Sequence, residues 1–218
     1  MSAALACPLC QHVTEWLATD QRPHVAPREY WHCPQCQLVH VPAQFQLPPA
    51  AEKALYDVHE NDPNDAGYRQ FLAQLITPLS EHLQTGAQGL DYGCGPGPAL
   101  MHMCHEQGFK CAGFDIYYAN KPELLTQSYD FITSTEVFEH LRQPAEVLQL
   151  ILSCLRPQGL LGIMTKPWTA DTDFGRWHYA NDPTHICFYH HSTLRFIAQK
   201  YALNIIYQHG SVCIWQRQ

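Results

Sequence analysis

Basic residues are scarce in this sequence of 218 residues. It has 13 lysines and arginines against 20 aspartates and glutamates, so its formal net charge is −7, and charged side chains make up only 15% of the chain. Because nucleic-acid affinity depends heavily on Lys and Arg side chains that neutralise phosphates, this balance argues against a broad nucleic-acid-binding surface. Apolar residues reach 46%, which predicts a globular protein with a sizeable core. The length suffices for one α/β domain and a small appendage.

The sequence has no apolar run near the roughly 20 residues that a membrane-spanning helix needs. It also has no basic stretch followed by an apolar one at its start, so no secretory signal is expected. Internal repeats and low-complexity tracts are absent too. Ten cysteines without such a signal predict a reducing, cytoplasmic location, in which thiols stay free or bind a metal.

A glycine-rich turn lies between a short apolar run and a helix-like segment. It is Asp91-Tyr92-Gly93-Cys94-Gly95-Pro96-Gly97, and a second apolar run further on ends in Asp115. In the βαβ nucleoside-binding layout, glycines let the backbone approach a ligand, and an acid at the end of the next strand binds the ribose hydroxyls. The two stretches therefore predict a nucleoside-binding α/β domain.

The details of the turn separate the candidate cofactors. A dinucleotide needs a helix N-terminus that is free to receive its pyrophosphate. Pro96 and Pro98 each remove a backbone donor from this turn, and Asp91 adds a negative charge. S-adenosylmethionine has no phosphate and carries a sulfonium and an ammonium, which an acidic turn favours. The turn therefore favours S-adenosylmethionine over a nicotinamide dinucleotide.

Together with the run from Tyr129 to Leu141, these motifs resemble the class I S-adenosylmethionine-dependent methyltransferases. The run looks like the fourth strand and following helix of the branch that includes the ubiquinone-biosynthesis O-methyltransferases. The resemblance covers residues 65–218 and implies a Rossmann-like, mostly parallel sheet with an antiparallel C-terminal edge. The expected cofactor-binding residues are Asp91, Tyr92, Gly93, Cys94, Gly95, Gly97, Asp115, Ile116 and Thr135.

The segment after Asp115 departs from the family pattern. Only thirteen residues separate Asp115 from Tyr129. Between these two points the family usually has a helix and a further strand whose end contacts the adenine. We expect Ile116 and Tyr117 to cover the adenine ring instead.

The acceptor is expected to lie at the carboxyl ends of the strands, where loops carry the chemistry. One such loop holds Glu136, and another is the aromatic and histidine-rich segment after Thr165. In the resembling branch an Asp-x-x-His-like stretch often faces the cofactor pocket, and Asp182 and His185 match it. We expect His185 to act as the base and Asp182 to orient it, with His178 and Glu136 as further acceptor-side residues.

Less specific readings of the same residues stay open. Asp182 can cap a turn before Pro183, with His185 packed against the sheet. Glu139 and His140, at the expected start of a helix, are interpreted as local polar anchors.

Two C-x-x-C pairs stand near the start of the chain, separated by twenty-two residues: Cys7 with Cys10, and Cys33 with Cys36. Four thiolates in tetrahedral coordination suit zinc. Residues typical of strands follow each pair, so we predict a zinc ribbon whose metal supplies most of its folding energy. Two disulfides or a redox dithiol are the alternatives. A closed four-sulfur site has no open position, so we expect no catalysis there.

The predicted organisation is a zinc-ribbon-like segment (1–46), a linker (47–64) and a Rossmann-like methyltransferase domain (65–218). Helices are expected over 51–58, from a cap at Asn64 or Asp65 to Leu79 with a break at Pro78, and over 99–107, 144–155 and 193–201, the last capped by Ser192. Strands are expected near Leu90, before Asp115 and over 131–134, 160–165, 205–208 and 212–216, with a turn at 156–159.

The chain is thus predicted to be an S-adenosylmethionine-dependent methyltransferase with a structural zinc ion, and a small molecule is the favoured acceptor. One alternative is a non-catalytic nucleoside-binding adaptor that recruits a partner through the ribbon, although an adaptor does not need the aromatic and histidine-rich loop. A nicotinamide-dependent oxidoreductase is disfavoured by the glycine spacing and the prolines. The sequence does not indicate the oligomeric state.

Overall fold

A computed structural model of the chain describes residues 5–20, 27–58 and 62–218. Its strands are β1 (Glu15–Asp20), β2 (Arg28–His32), β3 (Val39–His40), β4 (Gln88–Tyr92), β5 (Lys110–Phe114), β6 (Tyr129–Thr135), β7 (Leu155–Met164), β8 (Cys187–Phe188), β9 (Leu203–His209) and β10 (Val212–Arg217). Its α-helices are α1 (Pro49–Tyr56), α2 (Ala66–Ser80), α3 (Ala99–Glu106), α4 (Pro144–Ser153) and α5 (His191–Lys200). Short 3-10 helices cover Ala43–Phe45, Pro122–Thr126, Phe138–His140 and His178–Asn181. No helix in these described ranges is long and apolar enough to cross a bilayer.

The larger sheet has six strands in the order β5-β4-β6-β7-β10-β9. The first four are parallel, and β10 is antiparallel to both β7 and β9. This confirms the prediction of a mostly parallel sheet with an antiparallel C-terminal edge. Because β4, β5, β6 and β7 are parallel, the loops that follow them meet at one edge of the sheet.

Side chains alternate between the two faces of this sheet, and each face is covered by helices. Phe131 and Ile214 pack with α2 and α3 on one face, whereas Ile132 and Trp215 pack with α4 and α5 on the other. Gly89 of β4 is required beside Phe131, because a Cβ atom at position 89 would lie 2.1 Å from its ring.

The predicted elements are present, but several boundaries were wrong. Asp65 caps α2 by accepting the backbone N–H of Tyr68, and Pro78 does not break the helix, which ends two residues later with Leu79 buried. Ser192 does not cap α5. The N-cap is His190, whose side chain accepts the backbone N–H of Ser192.

The turn predicted at 156–159 lies inside β7, where Gln158 has a positive φ of 63°. Leu155 pairs with Tyr129, and the next paired residues are Leu160 and Phe131, so four residues of β7 lie opposite Asp130 alone. Arg156 pairs with Asp130 at 2.6 Å. Pairing with β6 on both sides of the extra residues keeps this segment within the strand.

The smaller sheet is antiparallel, in the order β1-β2-β3-β8. Its last strand comes from the loop after β7, so residues from opposite ends of the chain form one sheet. The cysteines of the two C-x-x-C pairs and Leu9 belong to the same buried cluster as Tyr189 and Trp215 of the main domain. The division into three segments stays a prediction. The structure adds that the N-terminal segment packs directly on the Rossmann-like part.

Candidate functional site

A cavity of about 360 Å³ opens at the carboxyl ends of β4, β5 and β6. One wall is the glycine-rich turn after β4. The opposite wall is formed by Glu136, His140, Asp182 and His185. All nine predicted cofactor-binding residues line the cavity: Asp91, Tyr92, Gly93, Cys94, Gly95, Gly97, Asp115, Ile116 and Thr135.

The glycine turn brings bare backbone to the cavity wall. Gly93 has φ +80°, and a Cβ atom there would lie 2.3 Å from the side chain of Val137. Gly95 has φ +63°, and its backbone N–H donates to a carboxylate oxygen of Asp115 at 3.0 Å. Only glycine meets the steric demand at position 93, and the hydrogen bond fixes the ends of β4 and β5 relative to one another.

Two carboxylates face this turn in different environments. Burial raises the pKa of Asp91 to about 7; the hydrogen bond from Thr133 at 2.9 Å opposes this shift, and the charge of Asp115 adds to it. Asp115 accepts backbone N–H groups from Gly95, Tyr117 and Tyr118. The site can therefore hold a cation beside Asp91, while Asp115 is fixed in position at the end of β5.

The short segment after Asp115 contains no strand. It turns back through a bridge between Asp115 and Ala119 and continues into the 3-10 helix Pro122–Thr126. Ile116, Tyr117 and Tyr118 of this segment line the cavity, and Ile116 is 60% exposed. The expectation that Ile116 and Tyr117 cover an adenine ring stays a prediction.

Helix α1, in the range interpreted as a linker, adds a wall that the sequence analysis did not assign to the site. Glu52 and Tyr56 line the cavity, and the Tyr56 hydroxyl donates to Glu52 at 2.9 Å. Arg142 forms a salt bridge with Glu52, with a distance of 2.9 Å between the guanidinium nitrogen and the carboxylate oxygen. A helical pattern over 51–58 was visible in the sequence, but its packing partner is remote in the chain.

His185, predicted to lie on the acceptor side, lines the cavity and is 8% exposed. Its Nδ1 is 2.7 Å from the carbonyl oxygen of Tyr179, and a carbonyl only accepts, so Nδ1 carries the proton and Nε2 keeps a lone pair. Burial lowers the pKa of His185, and the charge of Glu139 partly offsets this effect. The ring is therefore held neutral with one free lone pair.

The Asp182 carboxylate lies close to the His185 ring without a hydrogen bond to it, although the His185 backbone N–H donates to the Asp182 carbonyl at 3.2 Å. One oxygen of Asp182 accepts the backbone N–H and the hydroxyl of Thr184 at 2.8 and 2.6 Å, which caps the turn through Pro183. The other oxygen lies 3.8 Å from Nε2 of His185. His178, in contrast, is not brought to the cavity: it is exposed, with its Nε2 2.9 Å from the Lys166 ammonium.

The turn after β6 places further polar residues against His185. Glu136 has φ +52° and accepts the Tyr179 hydroxyl at 3.3 Å. Burial, and after it the charge of Glu139, raises the pKa of Glu136 to about 9. A left-handed conformation at a non-glycine residue in such a turn is typical of functional sites.

Glu139 and His140 were interpreted as local anchors, and both lie at this site. Glu139 is fully buried, and neither of its oxygens has a hydrogen-bond partner among the described residues. One ligand atom from each of Glu139, His140 and His185 lies within 4.8 Å of the others. The spacing of Glu136, Glu139 and His140 was the available signal, but it indicates a shared site only once the 3-10 helix Phe138–His140 is known.

Comparison with family models matches a methyltransferase domain to residues 65–208, well over half of the chain. The chain belongs to this methyltransferase family. The prediction of a class I S-adenosylmethionine-dependent methyltransferase is confirmed. No curated protein matches the chain.

Three solved structures illustrate the fold of this methyltransferase. One is the 1,6-didemethyltoxoflavin-N1-methyltransferase of Burkholderia thailandensis with S-adenosylhomocysteine (TM-score 0.55, 15% identity, covering 86% of this chain and 98% of that one). Another is a SAM-dependent methyltransferase of Archaeoglobus fulgidus, with a TM-score of 0.53 and 16% identity. The match covers 68% of this chain and 94% of that one. The third is a proposed sarcosine dimethylglycine methyltransferase of Galdieria sulphuraria, with a TM-score of 0.50 and 21% identity. The match covers 64% of this chain, and this chain spans only 60% of that protein.

The four N-terminal cysteines of the methyltransferase converge at one point. Cys7 and Cys36 have their sulfurs 3.5 Å apart, and those of Cys10 and Cys33 are 3.4 Å apart, far longer than a disulfide bond of about 2.05 Å. The two turns share one backbone pattern, in which the N–H four residues after the first cysteine bonds back to its carbonyl. The residues at these equivalent positions, Gln11 and Gln37, both have positive φ.

Proposed function

We propose that this methyltransferase transfers the methyl group of S-adenosylmethionine to a small molecule held between the glycine turn and the His185 wall. The observation that carries the proposal is the single cavity of about 360 Å³ that both walls share. Its volume and the acidic balance of the chain support a small acceptor rather than a nucleic acid.

The residues at the turn fit this cofactor. When bound, S-adenosylmethionine supplies a methyl group on a positively charged sulfur, which is already activated for transfer. The bare backbone at Gly93 and Gly95 admits its amino-acid part, Asp91 offers a charge partner for its cationic groups, and Asp115 is placed for the ribose hydroxyls. Ile116 and Tyr117 are proposed to cover the adenine.

The acceptor-side residues are proposed to be Glu136, Asp182 and His185. The lone pair on Nε2 of His185 and the polar groups around it can orient an acceptor that approaches the donor methyl group, and orientation is the main demand of such a transfer. His178 is exposed outside the cavity and is not carried into this proposal.

We also propose a structural zinc ion at Cys7, Cys10, Cys33 and Cys36. Sulfurs bound tetrahedrally at about 2.3 Å from zinc lie about 3.8 Å from one another, close to the 3.4 and 3.5 Å observed for two of the pairs. None of the ten cysteines forms a disulfide bond, which supports a location in a reducing compartment such as the cytoplasm.

Binding and turnover experiments separate this proposal from its alternatives. Calorimetry is expected to show binding of S-adenosylmethionine and S-adenosylhomocysteine but not of NAD. Incubation with fractionated metabolite extracts and methyl-labelled cofactor is expected to label a small molecule and release S-adenosylhomocysteine. Binding of NAD alone would contradict the cofactor assignment, and cofactor binding with no turnover on any fraction would favour the adaptor.

A further inference from the structure

The carboxylate of Glu139 lacks a lysine or arginine partner among the described residues. The residue is fully buried, neither oxygen is hydrogen-bonded, and no lysine or arginine of the described ranges pairs with it. Glu136 and the Tyr179 hydroxyl lie beside it and interact with it, but neither carries a positive charge. A buried carboxylate is expensive unless it is paired or coordinates a metal, so this position calls for a cation.

Two imidazoles beside Glu139 are oriented as metal ligands usually are. Nδ1 of His140 lies 3.1 Å from the Thr184 carbonyl oxygen, and Nδ1 of His185 lies 2.7 Å from that of Tyr179. Both Nδ1 atoms are therefore donors, and both Nε2 atoms keep their lone pairs. Metal-ligating histidines characteristically donate their other N–H in this manner, which fixes the tautomer and the ring orientation.

The three side chains are close enough to share one ion. Their ligand atoms lie within 4.8 Å of one another, and the two imidazole centroids are 4.7 Å apart. Ligand atoms bound at about 2.1 Å to one ion are about 3 to 4 Å apart, so small side-chain rotations suffice.

The two segments that carry these side chains are held together by their backbones. The Ile186 N–H donates to the Glu139 carbonyl at 2.8 Å, and the Tyr189 hydroxyl donates to the Phe138 carbonyl at 3.2 Å. The group is therefore positioned before any ion arrives, which reduces the cost of binding.

We propose that Glu139, His140 and His185 bind a divalent transition-metal ion at the acceptor-side wall, with Glu136 beside it. Imidazole ligands favour a transition metal over Mg²⁺ or Ca²⁺, and two histidines with one carboxylate leave coordination positions open. His140 and His185 line the cavity, so the open positions face the acceptor.

This site identifies the class of acceptor, an inference that rests on the proposed function. The acceptor presents a hydroxyl oxygen to the ion, which acidifies that hydroxyl at neutral pH. In the transfer, the O–H bond breaks and its proton goes to water. The oxygen bonds to the methyl carbon, and the C–S bond breaks with its electron pair left on sulfur. His185 then serves as a metal ligand and not as the base expected from the sequence.

Electron paramagnetic resonance of Mn²⁺ tests the site in the full chain, with zinc content checked by mass spectrometry so that the cysteine tetrad is accounted for. The free Mn²⁺ signal is expected to fall with a stoichiometry of one ion per chain. Glu139→Gln and His140→Gln should each weaken this binding by at least about 100-fold, whereas His82→Gln, an exposed histidine outside the cavity, should not change it.

The proposal is overturned if wild-type protein binds no Mn²⁺, or if both ligand variants bind it as the wild type does. If Glu139→Gln fails to fold, His140→Gln decides, because His140 is only half-buried. Calorimetry with S-adenosylmethionine accompanies each variant and is expected to show unchanged affinity. Failure of the proposed function would appear there as lost cofactor binding in the wild type, which is separate from the Mn²⁺ result.

Discussion

Asp91 links cofactor binding to pH. Its pKa is raised to about 7 by burial, so near neutrality the folded protein holds a proton that a free carboxyl group would have lost. Because the pKa of Asp91 is raised in the folded protein, the folded state becomes less stable relative to the unfolded state as the pH rises from about 4 to 7. A bound cation offsets this loss by stabilising the charged carboxylate.

We predict that affinity for S-adenosylmethionine rises between pH 6 and pH 8, by up to about tenfold per pH unit below the pKa of Asp91. Calorimetry in two buffers of different ionisation enthalpy is expected to detect proton release on binding at pH 6.5. Asp91→Asn should bind more weakly and without this pH dependence. An identical pH profile in the variant would assign the effect to another group.

Gly93 can be tested against a matched glycine. Gly93 and Gly86 both have positive φ, but a Cβ atom at Gly86 meets nothing within 4 Å, whereas one at Gly93 meets Val137. Gly86→Ala should therefore report the backbone strain alone, about 1 to 2 kcal/mol.

Gly93→Ala is expected to cost more than Gly86→Ala in thermal unfolding and to weaken S-adenosylmethionine binding, because relieving the clash moves the turn. Gly86→Ala should leave the cofactor affinity unchanged. Equal unfolding temperatures for the two variants would show that the turn absorbs the added methyl group without movement.

At the scale of elements, β2 holds the acceptor-side loop through Arg28. This buried guanidinium donates to the backbone carbonyls of Ala180, Asp182 and His185, and its Nε donates to the Tyr30 hydroxyl. A strand of the N-terminal segment thus fixes the loop that carries the expected acceptor-side residues.

Arg28→Lys is predicted to destabilise the fold by about 3 kcal/mol, because an ammonium cannot reproduce the planar set of donors and leaves buried carbonyls unpaired. Once an acceptor is known, kcat should fall while affinity for S-adenosylmethionine is kept. Arg195→Lys, an exposed position on α5, is the control. An unchanged kcat in Arg28→Lys would show that the loop is positioned without this contact.

The fold class and the methyltransferase family were predicted correctly from local sequence signals. The glycine turn and each C-x-x-C pair lie within seven or fewer consecutive residues, so their spacing predicts which residues share one turn. Sequence reasoning missed Glu139 and His140 because their meeting with His185 depends on loop docking. It missed α1 as a cavity wall because that contact runs through Arg142, far along the chain. The boundary at Ser192 was wrong because His190 supplies an unusual imidazole cap.

For the whole molecule, the cysteine tetrad and the cavity are linked by shared packing and strand pairing. The tetrad packs in the same buried cluster as Tyr189, and β3 pairs with β8 immediately after His185. Disrupting the proposed zinc site should therefore affect the proposed acceptor-side residues more than the glycine turn.

Cys33→Ser is predicted to lower zinc content from one ion per chain, lower the unfolding temperature and reduce methyl transfer, while S-adenosylmethionine binding persists. Cys213→Ser, a buried cysteine outside the tetrad, is the control for thiol loss. Full zinc occupancy in Cys33→Ser, measured by mass spectrometry, would contradict the four-sulfur site.

The pairing of β8 with the N-terminal strand β3 has a consequence for protein synthesis and for protein engineering. Val39 pairs with Phe188, which lies 149 residues later in the sequence, so the amino-terminal sheet cannot be completed until Phe188 has been synthesised. A chimaera that carries only the N-terminal cysteine-containing strands would lack β8, the fourth strand of their sheet. The loop after β7 would therefore have to be transferred with them.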